Sequence, residues 1–298
     1  MATLGILILS VALRSAAMLL QFDTASGYFL HGALLPVIFN IISVAAVVFF
    51  ALFPIFAFAG EELIIPSAKA PFTLCAILPA VASLALAWNI WSEFLEVSLY
   101  LEGKELIFSF VHPILSLFLV IFLATYAAGL KKSALTAISG ILSIFTLAIE
   151  LTDIYNDLYV SMTSPNKTLL QLSCIVAMLY IYCELRALFG APQPKFFFFS
   201  LATATVVLGS YTIPSLLATA VGKYDNSYLL RDLFFIALFI LCLVRFIGIA
   251  KEPVCFYPDD DHALADDFTG EFAEGSEEFT EEPTEELTEE PEEYPQNN

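Results

Sequence analysis

Two sets of acidic residues recur at helical spacing. Asn89, Glu93 and Glu96 stand at i, i+4 and i+7, and Glu150, Asp153 and Asp157 stand at i, i+3 and i+7. Each set therefore runs along one face of a helix. Arg231 and Asp232 adjoin at the start of another apolar stretch, and His31 and His112 stand near the starts of two more. Arg14 follows a largely apolar run and has no charged neighbour in sequence. Oxygen-rich sets suit hard cations and amine-bearing solutes. A guanidinium keeps its proton and needs an acidic partner, a carbonyl cage or water. The candidate solute- or ion-binding residues are Arg14, Glu93, Glu96, Glu150, Asp153, Arg231 and Asp232; no catalytic residue and no metal signature stands out.

The surroundings of these residues are apolar. Of 298 residues, 59% are hydrophobic and 14% charged, and the mean hydropathy is +0.81. A soluble domain carries about 25% charged residues, so a soluble enzyme, a disulfide scaffold and a wholly disordered chain are excluded as the main class. About 20 apolar residues cross the hydrocarbon of a bilayer. Eight such stretches run near 3–21, 33–59, 71–95, 107–130, 133–153, 168–189, 196–221 and 229–250. They are apolar on every face, unlike alternating barrel strands, so they read as helices with all backbone groups paired internally. The expected fold is an all-α integral membrane protein of eight spanning helices, arranged as four antiparallel hairpins, over 1–251. The first stretch lacks the basic leader of a cleaved signal and reads as a retained helix.

Glycines at 60, 129, 190 and 248 follow helices at one side and are expected to close them. Seven Lys and Arg flank that side and four the other. The positive-inside rule then puts both termini in the cytoplasm, with the plasma membrane as the expected location. At about 1.5 Å per residue, Arg14 lies roughly 18 Å into its helix and Glu150 roughly 26 Å into the fifth. Glu93 and Asp153 come out at the outer interface. Glu184, Arg186 and Arg245 approach the inner one, where they are expected to snorkel to water. "GSYTIPSLLATA" makes the seventh helix polar around Pro214, as in kinked or broken helices. Trp88 and Trp91 fit an interfacial aromatic belt, and Asn166 heads a glycosylation sequon.

The charge is unevenly spread. All 12 Lys and Arg and 13 of the 31 Asp and Glu lie in 1–251, so the body is near neutral, while 252–298 hold the other 18 acids. Residues 277–292 repeat "EEFT-EEPT-EELT-EEPE". Proline and like-charge repulsion predict a disordered tail, either a solvated spacer or bait for a basic cytoplasmic protein.

Three readings of the acidic faces stay open: a vestibule for a cation or amine-bearing solute, a divalent-metal site, or acids that face water near the head groups. Arg14 reads either as a cation poised for an anionic ligand or carboxylate, or as a structural ion pair to the third or fifth helix. Four cysteines sit in apolar helices and none forms CxxC, so they read as core residues. No hydrolase, nucleotide-loop or dinucleotide-binding motif is found, no cofactor is implied, and no basic stripe suits nucleic acid. The expected partners are the lipid bilayer, a small solute or cation, and a basic protein at the tail. The function expected is a permease-like carrier with a polar site in the outer half of the bundle. The alternative is a non-transporting sensor or assembly subunit whose tail recruits a partner; an intramembrane enzyme fits least.

Overall fold

Hydropathy sets the elements. The computed structural model describes residues 2–23, 26–57, 70–100, 103–129, 132–157, 164–190, 193–224 and 228–251. Gly60, Cys255 and the acidic segment 252–298 lie outside the described residues. Eight helices, all long and apolar enough to cross a bilayer, account for the body: α1 Ala2–Leu20, α2 Leu34–Ala57, α3 Ala70–Ser98, α4 Lys104–Ala127, α5 Ala134–Asn156, α6 Pro165–Leu188, α7 Pro194–Ala220 and α8 Leu229–Lys251. The chain is an integral membrane protein. Between α1 and α2 stands an element with no counterpart in the sequence reading, a two-stranded ribbon of β1 (Phe22–Asp23) and β2 (Tyr28–Phe29), paired antiparallel with Phe22 opposite Phe29.

Each helix packs on its hairpin partner, giving the four hairpins α1–α2, α3–α4, α5–α6 and α7–α8. The packing order closes on itself: α3 on α4, α4 on α5, then α6, α7 and α8, and α8 back on α3. Six helices thus form a ring, and α1 and α2 pack on its α7 side. Helix α7 is the hub, 78% buried over its spanning window against 22% for α2. It remains one helix across Pro214.

Small polar residues lie among the apolar core along the helix seams, and large apolar side chains face outward. On α5 the buried residues are Thr136, Ser139, Gly140, Ser143, Thr146, Leu147, Glu150 and Ile154, spaced three or four apart along one stripe. Small residues let helices approach closely. Thr146 Oγ1 donates to the Leu115 carbonyl of α4 at 2.7 Å and Ser143 Oγ to Phe118 O at 3.2 Å. Large apolar side chains such as Ile41, Val44, Val81 and Leu84 are exposed; on spanning helices that surface meets hydrocarbon. The hydroxyls that make α7 look polar in sequence mostly bond back to their own helix, as Thr205 to Leu201 O and Thr212 to Leu208 O, each at 2.7 Å.

One expected helix end moves. Gly248 lies inside α8, which continues to Lys251. Gly222, with φ 71°, is the glycine that follows α7 in the left-handed region.

At the crossing of α1, α7 and α8, Gly209 has no room for a side chain: a Cβ would stand 2.7 Å from Leu7 Cδ1 and 2.8 Å from Phe239 Cε2. Gly209→Val should destabilise the bundle by about 1–3 kcal/mol through overpacking. Gly5→Val, at a site with nothing within 4 Å, should stay within about 0.5 kcal/mol of the parent. Thermal unfolding of the two variants in detergent measures the difference.

Candidate functional site

Four of the candidate residues meet at the ribbon end of the bundle. Glu93 comes from the last turns of α3, Glu150 and Asp153 from the last turns of α5, and Arg231 from the first turn of α8. His112 of α4 joins them. Arg231 Nε donates to Glu150 Oε2 at 2.7 Å, and its Nη2 lies 3.7 Å from Glu93 Oε2. Glu93 in turn accepts from Asn89 Nδ2 at 2.6 Å, one helical turn earlier. His112 Nδ1 is 3.1 Å from Asp153 Oδ2. Its Nε2 is 3.6 Å from Glu150 Oε1, beyond hydrogen-bond range, and both atoms are buried without a hydrogen-bond partner among the described residues.

Burial grades the cluster. The Glu150 side chain is 3% exposed, whereas Glu93 and Asp153 are about half exposed, at 54% and 49%. Beside this cluster a cleft of about 400 Å³ opens between α3, α4 and α5, with Glu93, His112, Asp153 and Ser109 on its wall and Ile90, Phe94 and Pro113 as apolar lining. Among the described residues no group of three His, Cys, Asp or Glu is arranged to hold a metal ion.

The other three candidates stand apart. Asp232 is adjacent to Arg231 in sequence but points elsewhere. It is fully buried, and its carboxylate accepts from Tyr211 Oη at 2.5 Å and Ser215 Oγ at 2.7 Å, tying α8 to α7. Glu96 is exposed, one turn past Glu93. Asp157, at the end of α5, accepts from the Tyr228 hydroxyl, and its carbonyl accepts from Lys167 Nζ at 2.6 Å. Burial, reinforced by the Asp157 carboxylate, holds the Tyr228 phenol above its ordinary pKa, so the hydroxyl stays a donor.

Arg14 has neither of the ion-pair partners considered for it. Its side chain is buried, at 3% exposure, and its Nη2 donates to Asn166 Oδ1, in the first turn of α6, at 2.5 Å. The Phe29 and Phe39 rings lie 4.7 and 5.4 Å from its guanidinium carbon. Among the described residues it makes no ion pair. Its partners sit on the ribbon, the first turns of α2 and the start of α6, so the guanidinium lies toward the ribbon end. Asn166 is buried as its acceptor, which withdraws the sequon from the surface. Lys167, counted among the loop cations, is also buried.

A second buried charge centre lies at the opposite end. Glu184 and Arg245, expected to reach water, are instead 2% exposed each and form an ion pair, Nε to Oε1 at 3.2 Å. Tyr126 Oη donates to the same Glu184 oxygen at 3.1 Å and lies 3.4 Å from Tyr180 Oη. The ends of α4, α6 and α8 face one another there, so these side chains have no path to snorkel. Arg186 does stay at the surface, stacked near Tyr182. Of the belt residues Trp88 is 75% exposed, while Trp91 packs edge-on against Phe94 and Phe110. Cys174, Cys183 and Cys242 are buried free thiols.

The fold and the clusters define a polytopic helical membrane protein with charges sorted to the two ends of a ring. Comparisons with protein-family models, with curated proteins and with solved structures give no match.

Removing one member of a buried ion pair leaves the other charge uncompensated. Arg245→Met should therefore lower stability by about 3–5 kcal/mol. The double change Glu184→Met with Arg245→Met should regain most of that loss, because no charge is left behind. Unfolding midpoints of the single and double variants decide the point.

Proposed function

We propose that the chain is a permease-like carrier of a small organic cation, and that the α3–α4–α5 cleft is its binding site. The observation that carries this reading is the surplus of carboxylates: Glu93 and Glu150 share one guanidinium, that of Arg231, and among the described residues Asp153 beside them faces only the His112 imidazole. A cation arriving from water meets the half-exposed Glu93 and Asp153 first. Its ammonium donors take the acceptor sites those oxygens leave open, and its carbon skeleton lies on Ile90, Phe94 and Pro113. Binding there weakens the longer Arg231–Glu93 contact and leaves Arg231 to Glu150. The Arg231–Glu150 pair stands behind Glu93, which Arg231 also contacts, and its rearrangement is the step that admits the solute to the ring. The metal reading is less favoured, because a hard divalent ion needs six or more converging oxygens.

On this reading the cleft opens to the outside of the plasma membrane, with both termini in the cytoplasm, as the seven-to-four bias of Lys and Arg suggests. The acidic segment 252–298 is then available to a basic cytoplasmic protein.

The full chain in micelles should show a rise of a few degrees in its unfolding midpoint with at least one of choline, ethanolamine or guanidinium chloride at millimolar concentration, relative to sodium chloride. The double variant Glu93→Gln, Asp153→Asn, whose sites are half exposed, should fold and lose that response. Proteoliposomes should take up the same radiolabelled cation. If none of the three cations exceeds the sodium control, the cation-site reading fails.

A further inference from the structure

A second site is assembled on the other side of α7 and has no part in the cleft above. An apolar groove of about 270 Å³ runs between α2, α6 and α7, with Phe39, Val47, Phe50, Leu169, Leu172 and Val207 on its walls. From Phe39 to Phe50 it follows α2 for roughly 16 Å. Val44, Val48 and Leu172 on its lips are exposed on spanning helices, so the groove opens to the bilayer. Of its hydroxyls, Ser43 and Ser210 are satisfied on their own helices, by Phe39 O and Val206 O, while Thr203 Oγ1 has no hydrogen-bond partner among the described residues.

A buried cation stands behind one end of this groove, outside its lining and covered by Phe39. Phe39 both lines the groove and covers Arg14. Leu169 lies one turn below Asn166, the acceptor for Arg14. Arg14 is buried, cannot shed its proton, and has only a neutral amide oxygen as hydrogen-bond acceptor among the described residues. The aromatic rings cover its faces, whereas its donors point along its edge. The Nδ2 of Asn166 is buried beside it without a partner among the described residues. An uncompensated cation and an unfilled amide donor therefore stand together at the start of a 24-residue helix. That start adds partial positive charge. Ser164, its N-cap, gives it no side-chain hydrogen bond; its hydroxyl donates instead to Gly27 O at 3.3 Å.

We propose that the groove holds one acyl chain of an anionic lipid whose phosphate is received by Arg14 and Asn166. Phosphate oxygens supply the negative charge and the acceptors that both side chains lack. The groove explains why the ligand is a lipid and not a free anion: a small ion would fill the polar end and leave the apolar walls unused. This inference is independent of the cation cleft and stands or falls separately.

Native mass spectrometry of the full chain, titrated with phosphatidylglycerol or phosphatidylcholine of the same acyl composition, tests it. Both lipids bring a phosphate, but phosphatidylcholine also brings its choline cation toward Arg14, so phosphatidylglycerol should be retained at about tenfold lower concentration. Arg14→Gln should bring it down to the phosphatidylcholine level. Val47→Trp, at a half-exposed position in the groove, should weaken retention of both lipids while leaving Arg14 in place. Equal retention of the two lipids by the parent chain, or an anionic preference that survives Arg14→Gln, would overturn the proposal. Glycerol phosphate competing as well as the whole lipid would overturn the lipid assignment in favour of a free-anion site. Should Arg14→Gln fail to fold, Val47→Trp decides: undiminished phosphatidylglycerol retention sinks the idea, and loss upholds it.

Discussion

A charge inside this bundle has no water to answer it, so another helix must. That constraint fixes how α8 sits. Arg231 and Arg245 are 14 residues apart, roughly 21 Å along the axis and about 40° apart around it. They form one charged edge. Each is met by a glutamate, Glu150 of α5 and Glu184 of α6, although α8 itself packs mainly on α3 and α7. The arginine side chains therefore reach across the interior of the ring. The closed order from α3 to α8 and the two ion pairs support each other: moving α8 away from α5 or α6 would pull a pair apart.

The remaining polarity is disposed of more cheaply. Ser and Thr on α5 bond to carbonyls of α4 or of their own helix, and those on α7 mostly bond to their own helix. A hydroxyl satisfied in this way needs no solvent and behaves as a small packing residue. Helix α7 can thus be both polar in sequence and the most buried element. Arg14 is the exception to the pairing rule. It is held by two rings and an amide, and a desolvated cation–π contact contributes about 2 kcal/mol against a desolvation penalty of several kcal/mol per ion.

The eight helices were legible because hydrocarbon thickness and apolar run length are the same quantity expressed two ways. The acidic faces were legible too: spacing of three and four residues placed Glu150 and Asp153 on one side of α5, and the chain direction brought them level with Arg231 and Glu93. Adjacency misled at Asp232, where neighbouring residues on a helix point about 100° apart. Glu184 and Arg245 were misjudged because distance from a helix end measures depth in the membrane and says nothing about facing water or protein. The i, i+4 pairing of Tyr180 with Glu184 was the available sign of an inward polar face. For Arg14 a carbonyl acceptor was among the expected partners, but Asn166 was not legible as its source, because it read only as the head of a sequon. The ring order lay beyond the sequence, since short loops specify hairpin neighbours but not which hairpins adjoin.

The sequence separation between Arg14 and Asn166, 152 residues, has a consequence for how the molecule is made. At ribosomal speeds of roughly 5–20 residues per second, Arg14 is synthesised roughly 8–30 s before its amide acceptor exists. During that interval the guanidinium must shelter near the lipid head groups, six residues from the end of its helix. Biogenesis therefore begins with a helical pair that is not yet home, and the arrival of α6 and α7 lets it dock.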